Sequence, residues 1–199
     1  MRAALVIVFA TSSLALAQSN PGWTIEVVGG PVSPSSPSVQ VRVSAYFPQA
    51  SAGSAFGEGA FDLLSTDPSG KFHSLSVGGG VAGSCTQGSL LGQPTSLGGV
   101  VGVGIHQINI LGCVASTTNP IEVWTATWTT SDFSPRVVGV GTANTWIYGV
   151  YSNLAQSFPD VHYKPEEIIP GSAVIQVIPA PGALALLFTS TALTRRRRR

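Results

Sequence analysis

IEVWTATWTT, residues Ile121–Thr130, is the stretch that decides the fold class. β-branched or aromatic residues fill eight of its ten positions, and these residue types favour a pleated strand over a helix. Because successive side chains of a strand point to opposite faces, one face should carry Glu122, Trp124, Ala126 and Trp128, and the other Ile121, Val123, Thr125 and Thr127. The pattern predicts a strand, and no other stretch predicts one as strongly.

Strand patterns recur on both sides of this stretch. VQVRVSAYF, residues Val39–Phe47, alternates apolar and polar residues as a half-buried strand does. Turn-forming residues lie between the patterns, such as DPSG at Asp67–Gly70. We therefore predict an all-β fold, an antiparallel β-sandwich of jelly-roll or Ig-like type with about nine strands. The further predicted strands are Trp23–Val27, a segment around Phe61, Phe72–Val77, Val100–Ile110, Arg136–Thr142, Thr145–Ser152 and Ser172–Ile178.

Composition and charge support this fold class and narrow the function. Of 199 residues, 44 % are hydrophobic and only 10 % are charged, with 23 Gly and 14 Pro, which suits strands and tight turns better than long helices. Between the chain ends, four basic residues (Arg42, Lys71, Arg136 and Lys164) face nine acidic ones, which gives a net charge of −5. An acidic body disfavours nucleic acid as a partner.

The N-terminal residues Met1–Ala17 predict a secretory signal peptide. A basic residue is followed by an apolar run and then by Ala15 and Ala17, the small-x-small pattern that signal peptidase reads, so cleavage is expected before Gln18. The alternative is a buried N-terminal helix. The prediction is an exported protein.

The C-terminal residues combine a proline motif, an apolar run and a basic cluster. Pro179-Ala180-Pro181-Gly182 ends the β-rich body. Gly182–Thr194 is mostly apolar, and as a helix it would be about 20 Å long, short of the roughly 30 Å hydrocarbon core. Arg195, Arg196, Arg197, Arg198 and Arg199 follow it and should stay on the cytoplasmic side as a stop-transfer signal.

This tail resembles the PEP-CTERM sorting signal of exported Gram-negative proteins, in the PAPG form associated with planctomycete-type bacteria. Ala180 stands where the family motif has Glu. The resemblance implies transient insertion in the inner membrane, cleavage near the proline motif by an exosortase-like protease, and delivery to the cell envelope, the outer surface or the extracellular matrix. A permanent membrane anchor and a disordered basic tail are the alternatives.

The predicted signals divide the chain into three parts. Residues 1–17 are the signal peptide, residues 18–178 form the β-sandwich ectodomain, and residues 179–199 form the sorting signal. The sandwich is thus expected between an N-terminal signal helix and a C-terminal transmembrane helix. Cys85 and Cys113, the two cysteines, are expected to pair after export. The pair would close a loop of about 28 residues and stabilise the fold by roughly 3.5 kcal/mol; two free buried thiols are the alternative.

No catalytic constellation is evident in the sequence. Glu58 and Asp62 share a strand face but lie roughly 13 Å apart along it, beyond the separation that a glycosidase needs. The three histidines (His73, His106 and His162) lack metal-ligand spacing. We expect no enzyme activity and no cofactor. Calcium is the one ligand alternative, through turn residues Asp132, Asn153, Asp160 and Glu166.

Three tryptophans offer a second interpretation. Trp124, Trp128 and Trp146 lie in predicted strands and could stack on sugar rings if exposed, or form the core if buried. The leading hypothesis is a structural or adhesive sandwich without enzyme activity. The alternatives are a carbohydrate-binding module that attaches to exopolysaccharide and a small secreted hydrolase, which would need Glu58 or Asp62 beside a second carboxylate or a histidine in a cleft.

Overall fold

A computed structural model describes residues 20–48, 53–81, 85–109, 114 and 119–180. These residues form ten β-strands and a 3₁₀ turn at Pro165–Glu167. The strands are β1 (Gly22–Val28), β2 (Ser38–Tyr46), β3 (Ala55–Ser65), β4 (Lys71–Val77), β5 (Leu90–Pro94), β6 (Val100–His106), β7 (Ile121–Thr129), β8 (Arg136–Tyr151), β9 (Val161–His162) and β10 (Ser172–Val177).

Two antiparallel sheets pack face to face. The four-stranded sheet has the order β1-β2-β7-β4, and the six-stranded sheet has the order β10-β8-β3-β6-β5, with β9 paired to β8. The stretch that decided the fold class is β7, a central strand paired with β2 on one side and β4 on the other. The predicted all-β antiparallel sandwich is confirmed.

An aromatic cluster fills the space between the sheets. Trp23 of β1 is 2 % exposed and reaches across to the six-stranded sheet. Its ring centroid lies 4.7 Å from that of Phe61, 5.0 Å from that of Tyr148 and 6.4 Å from that of Phe56. Such pairs contribute roughly 0.5–1.5 kcal/mol each beyond the burial of apolar area, so this cluster holds the two sheets together.

A β-bulge changes the predicted faces of β7. On β2, Val43 pairs with Trp124 but Ser44 pairs with Glu122, so Val123 is an extra residue in the ladder. Glu122 therefore lies on the outer face while Trp124 is fully buried. The prediction that Glu122 and Trp124 share a face is wrong because strict alternation cannot show a bulge.

A wider irregularity joins two predicted strands into one. Arg136–Thr142 and Thr145–Ser152 are parts of the single strand β8. On β3, Asp62 pairs with Ala143 and Ala60 pairs with Ile147, so residues 144–146 lie opposite one residue of the partner strand. We call residues 144–146 the β8 bulge. Its first residue, Asn144, has a φ of 49°, a left-handed conformation that Asn tolerates better than most residues.

The chain enters and leaves the sandwich at opposite ends. The carbonyl of Pro21 accepts a hydrogen bond from the amide of Ile169, and the amide of Ile178 donates to the carbonyl of Val32. Residues Ala15, Ala17, Gln18, Pro181, Gly182 and Arg195–Arg199 lie outside the described part of the chain. Among the described residues, no helix has the length and apolar character needed to cross a membrane, and the flanking signals stay predictions.

Candidate binding surface

A trough crosses the outer face of the six-stranded sheet. Its floor is formed by Gly139 and Gly141 of β8, and its volume is about 710 Å³. Exposed apolar side chains stand on both sides, with Leu64 of β3 at 49 % and Val174 of β10 at 55 % exposure. We use the name trough for this depression and its lining residues, Leu64, Ser65, Thr66, Gly139, Val140, Gly141, Ser172, Ala173 and Val174.

The register of the sheet explains why the trough exists. Gly141 pairs with Leu64 on one side and with Ser172 on the other, while Gly139 pairs with Val174. β8 thus lacks side chains at two successive outward positions. The strands on either side of it, β3 and β10, carry side chains beside these positions. With strands about 4.8 Å apart, the walls on β3 and β10 are separated by roughly 10 Å.

The β8 bulge follows the trough residues on the same strand and turns Trp146 outward. Thr145 faces the core, where its Oγ1 accepts a hydrogen bond of 3.2 Å from Nε1 of Trp23. Trp146 follows and is 56 % exposed. Bulges often aim a side chain in this way, and here the result is an exposed indole at the middle of a sheet face.

A buried carboxylate holds the bulge in place. Asp62 is only 7 % exposed. One of its oxygens accepts a hydrogen bond of 2.8 Å from the backbone amide of Gly102, and the other accepts one of 2.8 Å from Nδ2 of Asn144. Asp62 therefore joins β6 to the β8 bulge. The sequence placed it among candidate catalytic groups, but its contacts are those of a structural residue.

The two outer faces of the sandwich differ sharply. On the four-stranded sheet, Arg42 lies 3.4 Å from Glu122 and 3.9 Å from Glu26, measured between the charged atoms. Within the described strands, every large hydrophobic side chain that is exposed belongs to the six-stranded sheet: Leu64, Leu90, Val101, Val137, Trp146, Ile147 and Val174. A grouped set of exposed apolar side chains is typical of an interaction surface.

Two of the three tryptophans predicted as possible sugar-stacking residues are core residues. Trp124 and Trp128 are both 0 % exposed, and Nε1 of Trp124 donates to the carbonyl of Leu91 at 3.0 Å. Neither can stack on a sugar, so that interpretation is wrong for these two, and the core alternative is correct. Trp146 alone of the three lies at the surface, without a second tryptophan beside it.

The carboxylate and histidine candidates form one pair, on an open surface. Nε2 of His162 lies 2.9 Å from Oε1 of Glu58, and His106 is the register partner of Glu58 on the next strand. The side chain of His162 is 52 % exposed, and neither residue lines the trough. The pairing that a hydrolase would need is present, and it lies on an open part of the surface. His73 lies on the other sheet and contacts Ser74.

The four calcium candidates are not brought together. In the described part of the chain, no group of three or more His, Cys, Asp or Glu residues could hold a metal ion. Asp132 accepts a hydrogen bond from the amide of Ser134, and Asn153 accepts one from the amide of Ala155. Asp160 accepts hydrogen bonds from Ser152, which lower the pKa of its carboxyl group, and Glu166 lies in the 3₁₀ turn.

Arg136 forms a clamp that the sequence did not reveal. Its Nη2 donates to Asp67 at 2.8 Å, and its Nη1 donates to the carbonyl of Asp132 at 2.7 Å. The clamp thus joins the loop after β3 to the loop before β8. Burial raises the pKa of Asp67, but hydrogen bonds from Ser69 and Arg136 outweigh it and leave the pKa below its usual value. Only the structure reveals this site, because Asp67 lies 69 residues away from Arg136 in the sequence.

Cys85 packs in a small second core on the outer side of the six-stranded sheet. It is 5 % exposed and clusters with Ala55, Val114 and Tyr151. Cys113 lies outside the described residues. The pairing of Cys85 with Cys113 stays a prediction.

Comparisons with known proteins address the fold. No protein-family model matches the chain, and no curated protein matches its sequence.

Among solved structures, a cohesin module from a family 33 glycoside hydrolase of Clostridium perfringens is 9 % identical, with a TM-score of 0.51 over 82 % of this chain and 100 % of that module. The sixth cohesin of Acetivibrio cellulolyticus scaffoldin B, in complex with a Cel5 dockerin, is 16 % identical, with a TM-score of 0.48 over 77 % and 97 % of the two chains. A chain of a type I cohesin–dockerin complex from Clostridium thermocellum is 16 % identical, with a TM-score of 0.49 over 76 % and 99 %. At this level of identity, the first of these shows that the chain has a fold similar to that of a cohesin module.

Proposed function

We propose that this chain is an exported binding module without enzyme activity, which attaches to a protein partner of the cell envelope or extracellular matrix. The observation that carries the proposal is the confinement of exposed strand hydrophobics to the outer face of the six-stranded sheet. The likeness in fold to a cohesin module supports a non-catalytic role. The open setting of Glu58 and His162 supports it as well.

The chemistry of the outer face of the six-stranded sheet indicates the kind of protein partner that would bind there. Asp62 is buried and neutral donors satisfy its two oxygens, while the outward residues around the trough are aliphatic, small or hydroxyl-bearing. A charged partner would lose hydration here without gaining a counter-charge. The partner should therefore present an apolar surface, and Trp146 should act as an anchor because exposed tryptophans often carry a large share of the binding energy.

Substitutions on the two outer faces test this proposal. Val174→Asp places a charge on the wall of the trough, and Gln40→Asp places one on the outer face of the four-stranded sheet, where Gln40 is exposed. The measurement is the fraction of labelled protein that sediments with isolated cell envelopes. Val174→Asp should reduce binding about tenfold or more, the effect of losing roughly 1.4 kcal/mol, while Gln40→Asp leaves it unchanged. Equal effects of the two variants would contradict the proposal.

Delivery by terminal signals is the second part of the proposal. Signal peptidase would cut before Gln18, and an exosortase-like protease would cut near Pro179–Gly182 after transient insertion in the inner membrane. Both cuts leave all ten strands intact, since these run from Gly22 to Val177. The intact mass of the native protein tests this part. A mass that begins at Gln18 and ends near Pro179–Gly182 is expected, whereas retention of Arg199 would indicate a permanent anchor.

Carbohydrate binding is the second candidate function, and the exposure of Trp146 favours it. One exposed indole can stack on one sugar ring, so exopolysaccharide is the alternative partner. Binding to purified polysaccharides, measured with the wild type and with Trp146→Ala, separates the two candidates. Loss of polysaccharide binding in Trp146→Ala with full retention in Val174→Asp would favour the sugar.

A further inference from the structure

The outer face of the six-stranded sheet carries both a projection and a depression. Trp146 projects from the β8 bulge with 56 % of its surface exposed. The trough has its floor on the same strand, at Gly139 and Gly141. An indole is a large apolar group that gains from burial, and the trough is open where the floor has no side chains. A face that carries both shapes can be complementary to a second copy of itself.

The register of the sheet places the two shapes at equal distances from Ala143. The β3 residues that pair with Gly141, Ala143 and Ile147 are Leu64, Asp62 and Ala60, respectively. Leu64 and Ala60 lie two residues on either side of Asp62, about 7 Å along the strand in each direction. Trp146 directly precedes Ile147, so the projection and the trough floor lie on opposite sides of Ala143 at similar distances.

This spacing suits a two-fold axis. Two sheets that pack face to face are about 10 Å apart, and a two-fold contact uses the same surface on both copies. An axis that lies between the sheets and crosses β8 at right angles, at Ala143, would place Trp146 of each copy over Gly141 of the other. The small side chain of Ala143 lets the two β8 strands approach each other at the axis.

The charges also favour a second copy as the partner. The described strands of the six-stranded sheet contain three residues of the Asp, Glu, Lys and Arg types, and each contacts a group within the protein: Asp62 contacts Gly102 and Asn144, Glu58 contacts His162, and Arg136 contacts Asp67. The body has a net charge of −5 between the chain ends, so two copies repel unless the surfaces that meet carry little free charge. This face meets that condition.

We propose that the partner of this face is a second copy of the chain, in a two-fold dimer in which Trp146 of each copy fills the trough of the other. The inference rests on the proposed function, because it names the protein partner that the apolar face binds. Each contact occurs twice in such a dimer, and the contact is closed, so it produces dimers and no longer assemblies.

Sedimentation velocity of the full chain over a range of micromolar concentrations tests this inference. The wild type should form a concentration-dependent dimer and no larger species. Trp146→Ala removes the projection, and Gly141→Val fills the floor of the trough, where an added Cβ would approach nothing closer than the Gly171 carbonyl oxygen at 3.5 Å. Each variant should raise the Kd of the dimer at least about tenfold. Gln40→Asp, on the outer face of the four-stranded sheet, should leave it unchanged.

Crosslinking tests the position of the two-fold axis. Ala143→Cys places one thiol of each copy beside the axis, so a short bismaleimide should join two copies through this residue. Gln40→Cys is the matched control, because Gln40 is exposed on the opposite face. Two thiols held close together react at a raised effective concentration, so Ala143→Cys should give the covalent dimer at least about tenfold faster than Gln40→Cys.

The outcomes separate this inference from the proposed function. A monomeric wild type, equal crosslinking of the two cysteine variants, or association that Trp146→Ala and Gly141→Val leave unchanged would overturn the dimer. Contact between copies through the tail would give the last of these results. A monomeric wild type that still sediments with cell envelopes would overturn the dimer alone. The proposed binding face fails instead if Val174→Asp and Gln40→Asp affect envelope binding equally.

Discussion

At the scale of single residues, a buried polar group decides the shape of the proposed binding face. Asp62 has no cationic partner among its two contacts, yet it fixes Gly102 and Asn144 on either side of β3. Sequence spacing alone placed Asp62 on a strand face with Glu58 and gave no sign of these contacts. They arise because both neighbouring strands are irregular opposite Asp62, so their backbone and side-chain donors turn towards it.

Asp62→Asn should destabilise the fold although it preserves the shape of the side chain. The new amide places N–H donors against at least one of two existing donors, and a buried hydrogen bond to a charged group contributes about 1.5–3 kcal/mol. Urea unfolding at neutral pH should show a loss of this size. An unchanged midpoint would mean that the carboxylate does not hold the bulge.

The Arg136 clamp should make stability depend on acid. Hydrogen bonds hold the pKa of Asp67 in the folded state below its unfolded value, so its contribution is present above the unfolded pKa, about 4. That contribution is lost as the pH falls through the folded pKa. Wild-type stability should therefore decline below about pH 4, and Asp67→Asn, already less stable at pH 7, should decline less steeply. Urea midpoints of the wild type and of Asp67→Asn, each measured at pH 7 and below about pH 4, test this. An equal loss of stability in the two proteins between these conditions would contradict the prediction.

At the scale of elements, β3 and β8 have a crowded inner face and, around the trough, an open outer face. Gly59 of β3 faces the core, where an added Cβ would lie 2.4 Å from Cη2 of Trp23. Gly141 of β8 faces the trough and has no such obstacle. The core leaves no room for a side chain at Gly59, whereas at Gly141 there is room for one and its absence forms the floor of the trough.

A matched pair of alanine substitutions tests this contrast. Gly59→Ala should destabilise the fold by roughly 1–3 kcal/mol because it overpacks the core against Trp23. Gly141→Ala should change stability by less than about 0.5 kcal/mol, as is usual for surface substitutions. Thermal or urea unfolding of the two variants gives the answer. Similar losses in both would contradict the assignment of the faces.

The strand elements themselves could largely be predicted from alternation, and the site could not. β2 and β10 begin and end within one residue of the predicted bounds because their patterns are regular. β5 and β9 were missed, since LLGQP contains Gly and Pro and β9 has only two residues. The trough depends on which strands become neighbours, as when Gly141 pairs with both Leu64 and Ser172. Pairing between strands that are distant in the sequence cannot be predicted from the local pattern of residues.

At the scale of the whole molecule, a covalent link between Cys85 and Cys113 should stabilise the fold. If Cys85 pairs with Cys113, reduction should lower the free energy of unfolding by roughly 3.5 kcal/mol for the loop of about 28 residues. Urea midpoints with and without reductant measure this loss, and Cys85→Ala with Cys113→Ala is the matched variant. The double variant should be insensitive to reductant. A wild type equally insensitive would mean that the pair does not stabilise the fold.

Because the chain enters and leaves at opposite ends, the sandwich should resist a force that pulls the two ends apart. β1 and β10 both run from the entry end to the exit end, and parallel bridges connect Gly22 with Ile169 and Val32 with Val177. A force that pulls the two ends apart therefore acts along the strands. It loads the hydrogen bonds of β1 with β2, and of β10 with β8, together in shear rather than one after another as in unzipping. A module tethered at one terminus and pulled at the other should resist extension until a terminal strand slides as a unit.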